Sequence, residues 1–405
     1  MSPTAKGTAL LQGLRVVQLA DPPAAHCGRL LTDLGAEVIL VEPIGGAPRR
    51  RFPPFKAGQA DAEGSLSFAY FHRGQAGITL NLATQDGRAV LHRLLDRVDV
   101  LLEGGPPAER ERGGLGYSAL DARHPRLVLA SITPFGQTGP YRDFRASDAV
   151  AFAMGGLMHV SGRPNRAPVV APGEQAQVVA GAHAVMGILT ALRSRDRTGR
   201  GQHVDVAMQA ALAAQENLIS SAAGEGHPAR RTGSQHRVAT PGRVYPCKDG
   251  YVHFFVSPAQ IGSWERLMEW MGHPEEFAAP EWQHAAYRRA HAAVVDQVVI
   301  RWAARFSRRE LYEEGQRRKI PCVPVNTLAD FVNDPQVQAR GFVQEADHPV
   351  FGRFRYPGSP WLVDGERPTS SAPPPQLGQH NRALYLGELG IEEARYERLY
   401  ALGVI

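Results

Sequence analysis

The residue pattern predicts an α/β chain built on an open, mostly parallel sheet, and three observations predict it. Residues 11–42 read strand, helix, strand: the apolar run Leu14 to Leu19, a helical stretch from Ala25 to Leu34 that Gly35 can cap, and the apolar run Val38 to Val41. That is a βαβ unit, which implies parallel strands. The alternation then continues downstream. Finally, 405 residues exceed what one small core organises, so two domains are expected.

Ile78 to Leu82 is the next strand. A helix follows over Asp86 to Arg97, where Val90, Leu91, Leu94 and Leu95 fall on one face at i, i+3, i+4 spacing. Val98 to Leu102 and Leu127 to Ile132 continue the sheet, and a helix-like stretch covers Ala176 to Asp196. The character changes near Ser221. Residues 223–242 are rich in glycine, proline and charge and read as a linker, so 1–222 form the first part of a large domain. A smaller α+β domain spans 243–325, with a strand begun at Gly250 and helices near Ser263–Met271 and Val295–Arg305. Residues 326–405 are extended and loop-rich at first. They include the strip Pro368 to Pro375, which offers few donors to a sheet, and end in a helical segment from Asn381 to Leu402. No repeat of solenoid period is present.

Hydrophobic residues make up 43% and charged residues 21%, as in ordinary globular proteins. The net charge is +5, yet only four of 45 cations are lysines, and Arg49-Arg50-Arg51 is the only arginine triplet. Scattered arginines do not make the basic stripe that nucleic acid requires; a polyphosphorylated ligand suits the bias. Cys27, Cys247 and Cys322 are odd in number and lack metal spacing, which predicts a reducing, cytoplasmic setting and no metal. Met1 to Lys6 has no apolar core of a signal peptide, and no apolar run reaches the ~20 residues of a membrane span, so no membrane is expected.

Several motifs occur in order. They are Leu34-Gly35-Ala36-Glu37-Val38, Arg112-Gly113-Gly114-Leu115-Gly116-Tyr117, Pro134-Phe135-Gly136-Gln137-Thr138-Gly139-Pro140-Tyr141, and Thr198-Gly199-Arg200-Gly201-Gln202. Ile320 to Asn326, Asp334-Pro335-Gln336, Arg340-Gly341-Phe342 and Leu377-Gly378-Gln379-His380 follow. Together they resemble the family III CoA-transferases of the CaiB/BaiF type over nearly the whole chain. The resemblance implies a Rossmann-like large domain completed by both chain ends, a smaller inserted α+β domain, and an interlocked dimer. It also implies a CoA thioester as substrate, with no covalently bound cofactor.

Family transferases place a nucleophilic Asp 21 residues before the Thr of the Thr-Gly-x-Gly-Gln turn, and from Thr198 that position is Gln177. A carboxylate can form an acyl anhydride and then a thioester; an amide cannot. No catalytic residue of this chain is therefore expected, with Glu174 the one carboxylate near enough to substitute. A racemase-like His would fall at Ser147. Asp148 reads as a helix cap or as the base of such an enzyme. The CoA positions depart similarly: Pro43 follows Glu42 in place of an arginine, Ala83 replaces a lysine, Glu103-Gly104-Gly105 replaces Glu-Asn-Phe, and Thr133-Pro134 carries no cation. His72-Arg73-Gly74-Gln75 replaces Asn-Arg-x-Lys, and Val256 to Gln260 replaces a glycine-rich flap. Arg112 and Arg73 remain as possible phosphate partners. The resemblance thus points to the non-catalytic subunit of a heteromeric CoA-transferase, interlocked as a heterodimer or heterotetramer with a paralogous catalytic subunit that binds the CoA thioester. Its reaction would move CoA from succinyl-CoA to a dicarboxylic aromatic acid such as (R)-2-benzylsuccinate. The alternatives are a homodimeric transferase or racemase-like enzyme using Glu174 or Asp148, and a structural or regulatory homodimer without activity.

Overall fold

The structure, a computed structural model, describes residues 9–58, 60–214, 230–236, 238–368 and 372–405. Of the expected linker, residues 223–229 and 237 lie outside these, as do Met1 to Lys6, Ser221 and, in the proline-rich strip, 369–371. The described residues fall into two compact units. One is drawn from Met1–Met158, Val170–Gly226 and Gln338–Ile405, the other from His159–Val169 and His227–Val337.

The first unit holds six parallel strands: β1 (Arg15–Leu19), β2 (Glu37–Glu42), β3 (Ala76–Thr79), β4 (Val100–Glu103), β5 (Val128–Thr133) and β6 (His203–Ala207). Their order is β3-β2-β1-β4-β5-β6, the doubly wound arrangement whose strand order reverses beside β1. The helices are α1 (Ala25–Asp33), α2 (Leu66–His72), α3 (Gln85–Leu95), α4 (Pro107–Arg112), α5 (Tyr117–Arg123), α6 (Asp148–Met154), one-turn α7 (Leu157–Val160), α8 (Gln175–Thr198) and α9 (Met208–Ala214).

Strand residues alternate between two cores. Val17, Ile39, Ile78, Leu101 and Leu129 meet Val90, Leu91, Leu94 and Leu95 of α3 on one face. Val16, Val38, Val100, Val128 and Ile132 meet Cys27 and Leu31 of α1 and the alanine-rich face of α8 on the other. Each fully buried aliphatic side chain contributes roughly 1.5–3 kcal/mol.

α8 is long and apolar enough to cross a membrane by length and composition, contrary to the expectation that no run would be. Its Ala176, Ala180, Ala184, Ile188 and Ala191 are buried against α1 and the sheet, the composition of a core helix. The helix ends where Gly199 takes φ 74°, and its N–H donates to Arg195 O, which is the role of the first glycine in the Thr-Gly-x-Gly-Gln turn.

The C-terminal segment seals the open edge of β3. Gly77 N donates to His380 Nδ1 at 3.0 Å, and Thr79 N donates to Asn381 Oδ1 at 2.9 Å. Asn381 Nδ2 donates to Thr79 Oγ1 at 2.7 Å, and Tyr385 OH donates to Thr79 O at 2.6 Å. The edge strand's polar groups are thereby paired. The helix expected over Asn381 to Leu402 is broken: a π-helical turn Ala383–Glu388 is followed by a separate helix Glu393–Ala401. Gly390, at φ 60°, makes the break, a conformation an α-helix cannot carry.

The second unit contains β7 (Gly242–Cys247), β8 (Gly250–Phe255) and β9 (Cys322–Pro324), antiparallel in that order. α10 (Ser263–Met271), α11 (Ala285–Ala290), α12 (Ala292–Ala303) and α13 (Arg308–Arg317) accompany it. Trp264, Trp282 and Trp302 fill a core with Phe254, Phe277 and Val295. The segment His159–Val169 belongs to this unit although no shift in composition marks it.

Two outcomes are expected. Asn381→Ala leaves the Thr79 amide and hydroxyl without partners, and chemical denaturation should show a loss of about 1–3 kcal/mol. His72 is buried, its Nδ1 is 2.9 Å from Gln75 Oε1, and burial holds its pKa down to about 3. The unfolded chain therefore binds a proton below about pH 6.5 that the folded chain refuses. Stability from this group is full above that pH and falls as pH drops toward 3; His72→Gln should flatten that part of the pH–stability curve.

Candidate active site

α8 begins at the sequence feature of greatest interest. Glu174 is its N-cap residue and Gln177 stands in its first turn, buried. The backbone N–H of Gln177 donates to Asp148 Oδ1 at 2.9 Å. Asp148, the first residue of α6, thus satisfies a donor that α8 leaves open and places negative charge at its positive end. Burial raises the carboxyl pKa of Asp148, and the amides of Gln177, Ala176 and Gln175 pull the other way. The cap reading of Asp148 therefore describes its geometry, although the helix capped is α8 and not its own.

The side chain of Gln177 is held at both ends. Its Oε1 accepts from Arg49 Nη2 at 3.0 Å, and its Nε2 donates to Glu174 Oε1 at 3.3 Å. Arg49 Nη1 donates to Glu174 Oε2 at 2.8 Å, closing a triangle. Arg49 is only 1% exposed and its guanidinium lies 4.1 Å from the centre of the Phe71 ring. One cation faces one anion and one neutral amide, so the triangle is electrically balanced.

The arginine triplet is a 3₁₀ turn, Pro48–Arg51, and not a basic patch. Arg50 is as buried as Arg49. Its Nε and Nη2 donate to Glu42 at 2.6 and 2.8 Å, and Nη2 also donates to Pro375 O at 2.9 Å. Glu42, at the end of β2, is fully buried, and this pair consumes it.

Gln177, Glu174 and Asp148 line a cavity of about 950 Å³ beside the carboxyl ends of β4 and β5. Phe52, Phe144, Met208 and several prolines form apolar wall; Arg112, Arg142 and Arg145 bring positive charge. Arg142 is paired with Glu111 and Asp143, whereas Arg145 is exposed and makes no ion pair among the described residues. A smaller crevice of about 410 Å³ opens over the carboxyl ends of β1, β2 and β3 and borders the β1/β4 switch point of the sheet, where α/β sheets bind ligands. Pro43 and Ala83, two positions where the resemblance expects cations, line it together with Asn81, Asp21 and Arg110.

The two arginines expected at phosphates part company. Arg112 lines the large cavity, its Nε donating to Ala108 O at 3.2 Å. Arg73 is the correction: it lines neither cavity. It is buried, Nη2 donates to Asp33 Oδ1 at 2.8 Å, and its guanidinium lies 4.0 Å from the centre of the Tyr356 ring. A cation so enclosed holds α1 to the strand Gly352–Pro357, which carries Tyr356, and presents nothing to a ligand. Thr133 is fully buried, accepting from Gly136 N at 2.9 Å.

Arg49, Asp21 and Arg110 were not reached by sequence reasoning. Arg49 was visible only as part of a charged triplet. Arg110 had one signal, the glycine pair before it: a Cβ on Gly105 would lie 2.4 Å from Arg110 Nη2, so only glycine lets the guanidinium lie there.

As chemistry, Gln177 offers the cavity an amide, which cannot form an acyl anhydride, and the carboxylate next to it, Glu174, is tied to the buried cation Arg49. Among the described residues no group of His, Cys, Asp and Glu is arranged to hold a metal.

Comparison with known proteins agrees with this geometry. The family model for CoA-transferase family III matches residues 11–381. The chain is 33% identical to the formyl-CoA:oxalate CoA-transferase of Streptomyces avermitilis, over 98% of this chain and the whole of that protein. It is 32% identical to the succinyl-CoA:(R)-benzylsuccinate CoA-transferase subunit BbsE of Thauera aromatica, over 96% of this chain and 97% of that one. It is 33% identical to the succinyl-CoA–L-malate CoA-transferase beta subunit of Chloroflexus aurantiacus, over 98% of each. A crystal structure of a CaiB/BaiF family protein from Brucella suis superposes with a TM-score of 0.83 at 30% identity, covering 94% of this chain and 99% of that one. With the parallel sheet, the motifs and the cavity at the head of α8 in agreement, the chain belongs to CoA-transferase family III.

Proposed function

We propose that this chain is the non-catalytic subunit of a heteromeric family III CoA-transferase. Its paralogous partner supplies the nucleophilic carboxylate and binds the CoA thioester, the two chains being interlocked as a heterodimer or heterotetramer. The observation that carries this reading is Gln177: its amide is locked between Arg49 and Glu174, so it is a fitted residue with no nucleophilic atom. Relatives named as subunits of CoA-transferases support the partner. The reaction would carry CoA from succinyl-CoA to a dicarboxylic aromatic acid such as (R)-2-benzylsuccinate. Likeness to BbsE supports that acceptor, and a cavity lined by apolar residues and arginines fits it. Three cysteines without disulfides are in keeping with a cytoplasmic setting.

One observation favours a second reading, in which the chain works alone through Glu174. That carboxylate lines the cavity, 3.3 Å from the Gln177 amide, and could reach a thioester there. The Arg49 pair opposes it, because a charge-balanced carboxylate is a weaker nucleophile. Asp148 has no comparable claim, since it is engaged in capping α8.

The test is to incubate the purified chain, alone and with its paralogue, with succinyl-CoA and then hydroxylamine, and to map adducts by mass spectrometry. The expected result is an adduct on the partner polypeptide only. An adduct on Glu174 would overturn the leading reading in favour of the second. A companion variant, Gln177→Asp, places a new carboxylate beside Glu174 and Asp148 with one guanidinium to serve them. Its pKa should be raised, so ionisation costs stability. We expect a loss of about 1–3 kcal/mol near pH 8, partly recovered as pH falls through that raised pKa, and no acyl-enzyme.

A further inference from the structure

The switch-point crevice has an internal ligand. Among the described residues Arg110 is the one cationic side chain that lines it, and two carboxylates already hold that guanidinium: Nη2 donates to Asp21 Oδ2, and Nε donates to Glu103 Oε2 at 3.1 Å. Asp21 also accepts from Gly104 N at 3.0 Å, so one oxygen receives a guanidinium and a backbone amide together. Those are the donors that phosphates take from proteins. Glu103 is in turn oriented by Gly105 N at 2.9 Å.

The arrangement is built as a set. The two glycines at 104 and 105 admit it. A Cβ on Gly105 would meet the Arg110 guanidinium, and a Cβ on Gly104 would come within 3.1 Å of Pro23 and 3.3 Å of Asp21 Cβ. The pair also stands at the partition between the two cavities. Asp21 and Arg110 line the crevice, while their neighbours Pro22 and Gly104 line the large cavity. A long ligand with phosphates at one end and an acyl group at the other has to pass this point.

We propose that Asp21 is a built-in counter-anion. It occupies Arg110 in the place a ligand's phosphoric anhydride would take, and its charge makes the crevice of this chain exclude phosphorylated ligands of the CoA type. The inference rests on the reading that this chain does not itself process CoA, and it gives that reading a physical device: a substituted anion, beyond the loss of cations.

The test is calorimetric titration of the full chain with CoA and with dephospho-CoA, both of which carry the pyrophosphate. Three variants join the wild type: Asp21→Asn, Arg110→Ala and the double substitution. Asp21→Asn is nearly isosteric and leaves Arg110 paired with Glu103, and thermal melts verify folding of each variant. Asp21→Asn should bind both probes at least about tenfold tighter than wild type, since removing a like charge from a phosphate's path is worth that much. Arg110→Ala and the double variant should gain nothing. If Asp21→Asn binds no tighter, or if Arg110→Ala gains equally, the counter-anion idea is overturned, the latter result meaning that mere loosening opens the crevice. A hydroxylamine adduct on the wild-type chain would instead sink the non-catalytic reading and leave the titration result to stand by itself.

Discussion

Two adjacent buried arginines on one 3₁₀ turn govern how this unit is assembled. Arg50 neutralises Glu42 at the end of β2 and reaches the carbonyl of Pro375, so it joins the sheet to the returning C-terminal chain. Arg49 faces the other way, to Glu174 and Gln177 at the head of α8. A buried ion pair brings little net stability, but removing one partner is severe, about 3–5 kcal/mol, because the other charge is stranded. The turn therefore acts as a constraint: β2 and the C-terminal strip must be in place for Arg50 and α8 for Arg49.

That constraint shapes the candidate site. In a carboxylate-bearing site, Arg49 would face two neighbouring acids. Here it faces Glu174 and an amide, and the charges cancel locally. Gln177 is thus a member of a hydrogen-bonded set with Arg49 and Glu174. The Asp21–Arg110–Glu103 arrangement at the switch point has the same character. In both places the protein's own carboxylates meet the guanidinium donors, and under the reading proposed above a binding surface has become a structural one without disturbing the sheet beneath it.

Much of the fold was legible because it rests on local signals. The runs at Leu14–Leu19 and Val38–Val41, with the periodic Val90, Leu91, Leu94 and Leu95, gave strands and helices within two residues of those observed. The motif at Leu377 to His380 could be matched but not explained; its purpose is to bring His380 and Asn381 to the edge of β3, a pairing some 300 residues apart that no local pattern reveals. The break at Gly390 was missed because the flanking segments share one helical period. At the site, Gln177 was found by spacing from Thr198, while Arg49, Asp21 and Arg110 were not. Their meaning lies in what they face, and an arginine's sequence neighbours do not say whether it meets water or a buried acid. Arg73 shows the same limit in reverse: it sits in a ligand-like segment, and α1 takes its charge inward.

The clasp on β3 also sets a timetable. Gly77 and Thr79 leave the ribosome some 300 residues ahead of their partners His380 and Asn381. At roughly 5–20 residues per second, the edge of the sheet stands open for about 15–60 s while the whole second unit is made. During that interval the ring of chain that runs out through the second unit and back is not yet closed. Two chains that end up linked through one another have to pass through such a gap, so the interlock proposed for this protein and its paralogue would be decided during synthesis, between neighbouring nascent chains, rather than by finished subunits meeting later.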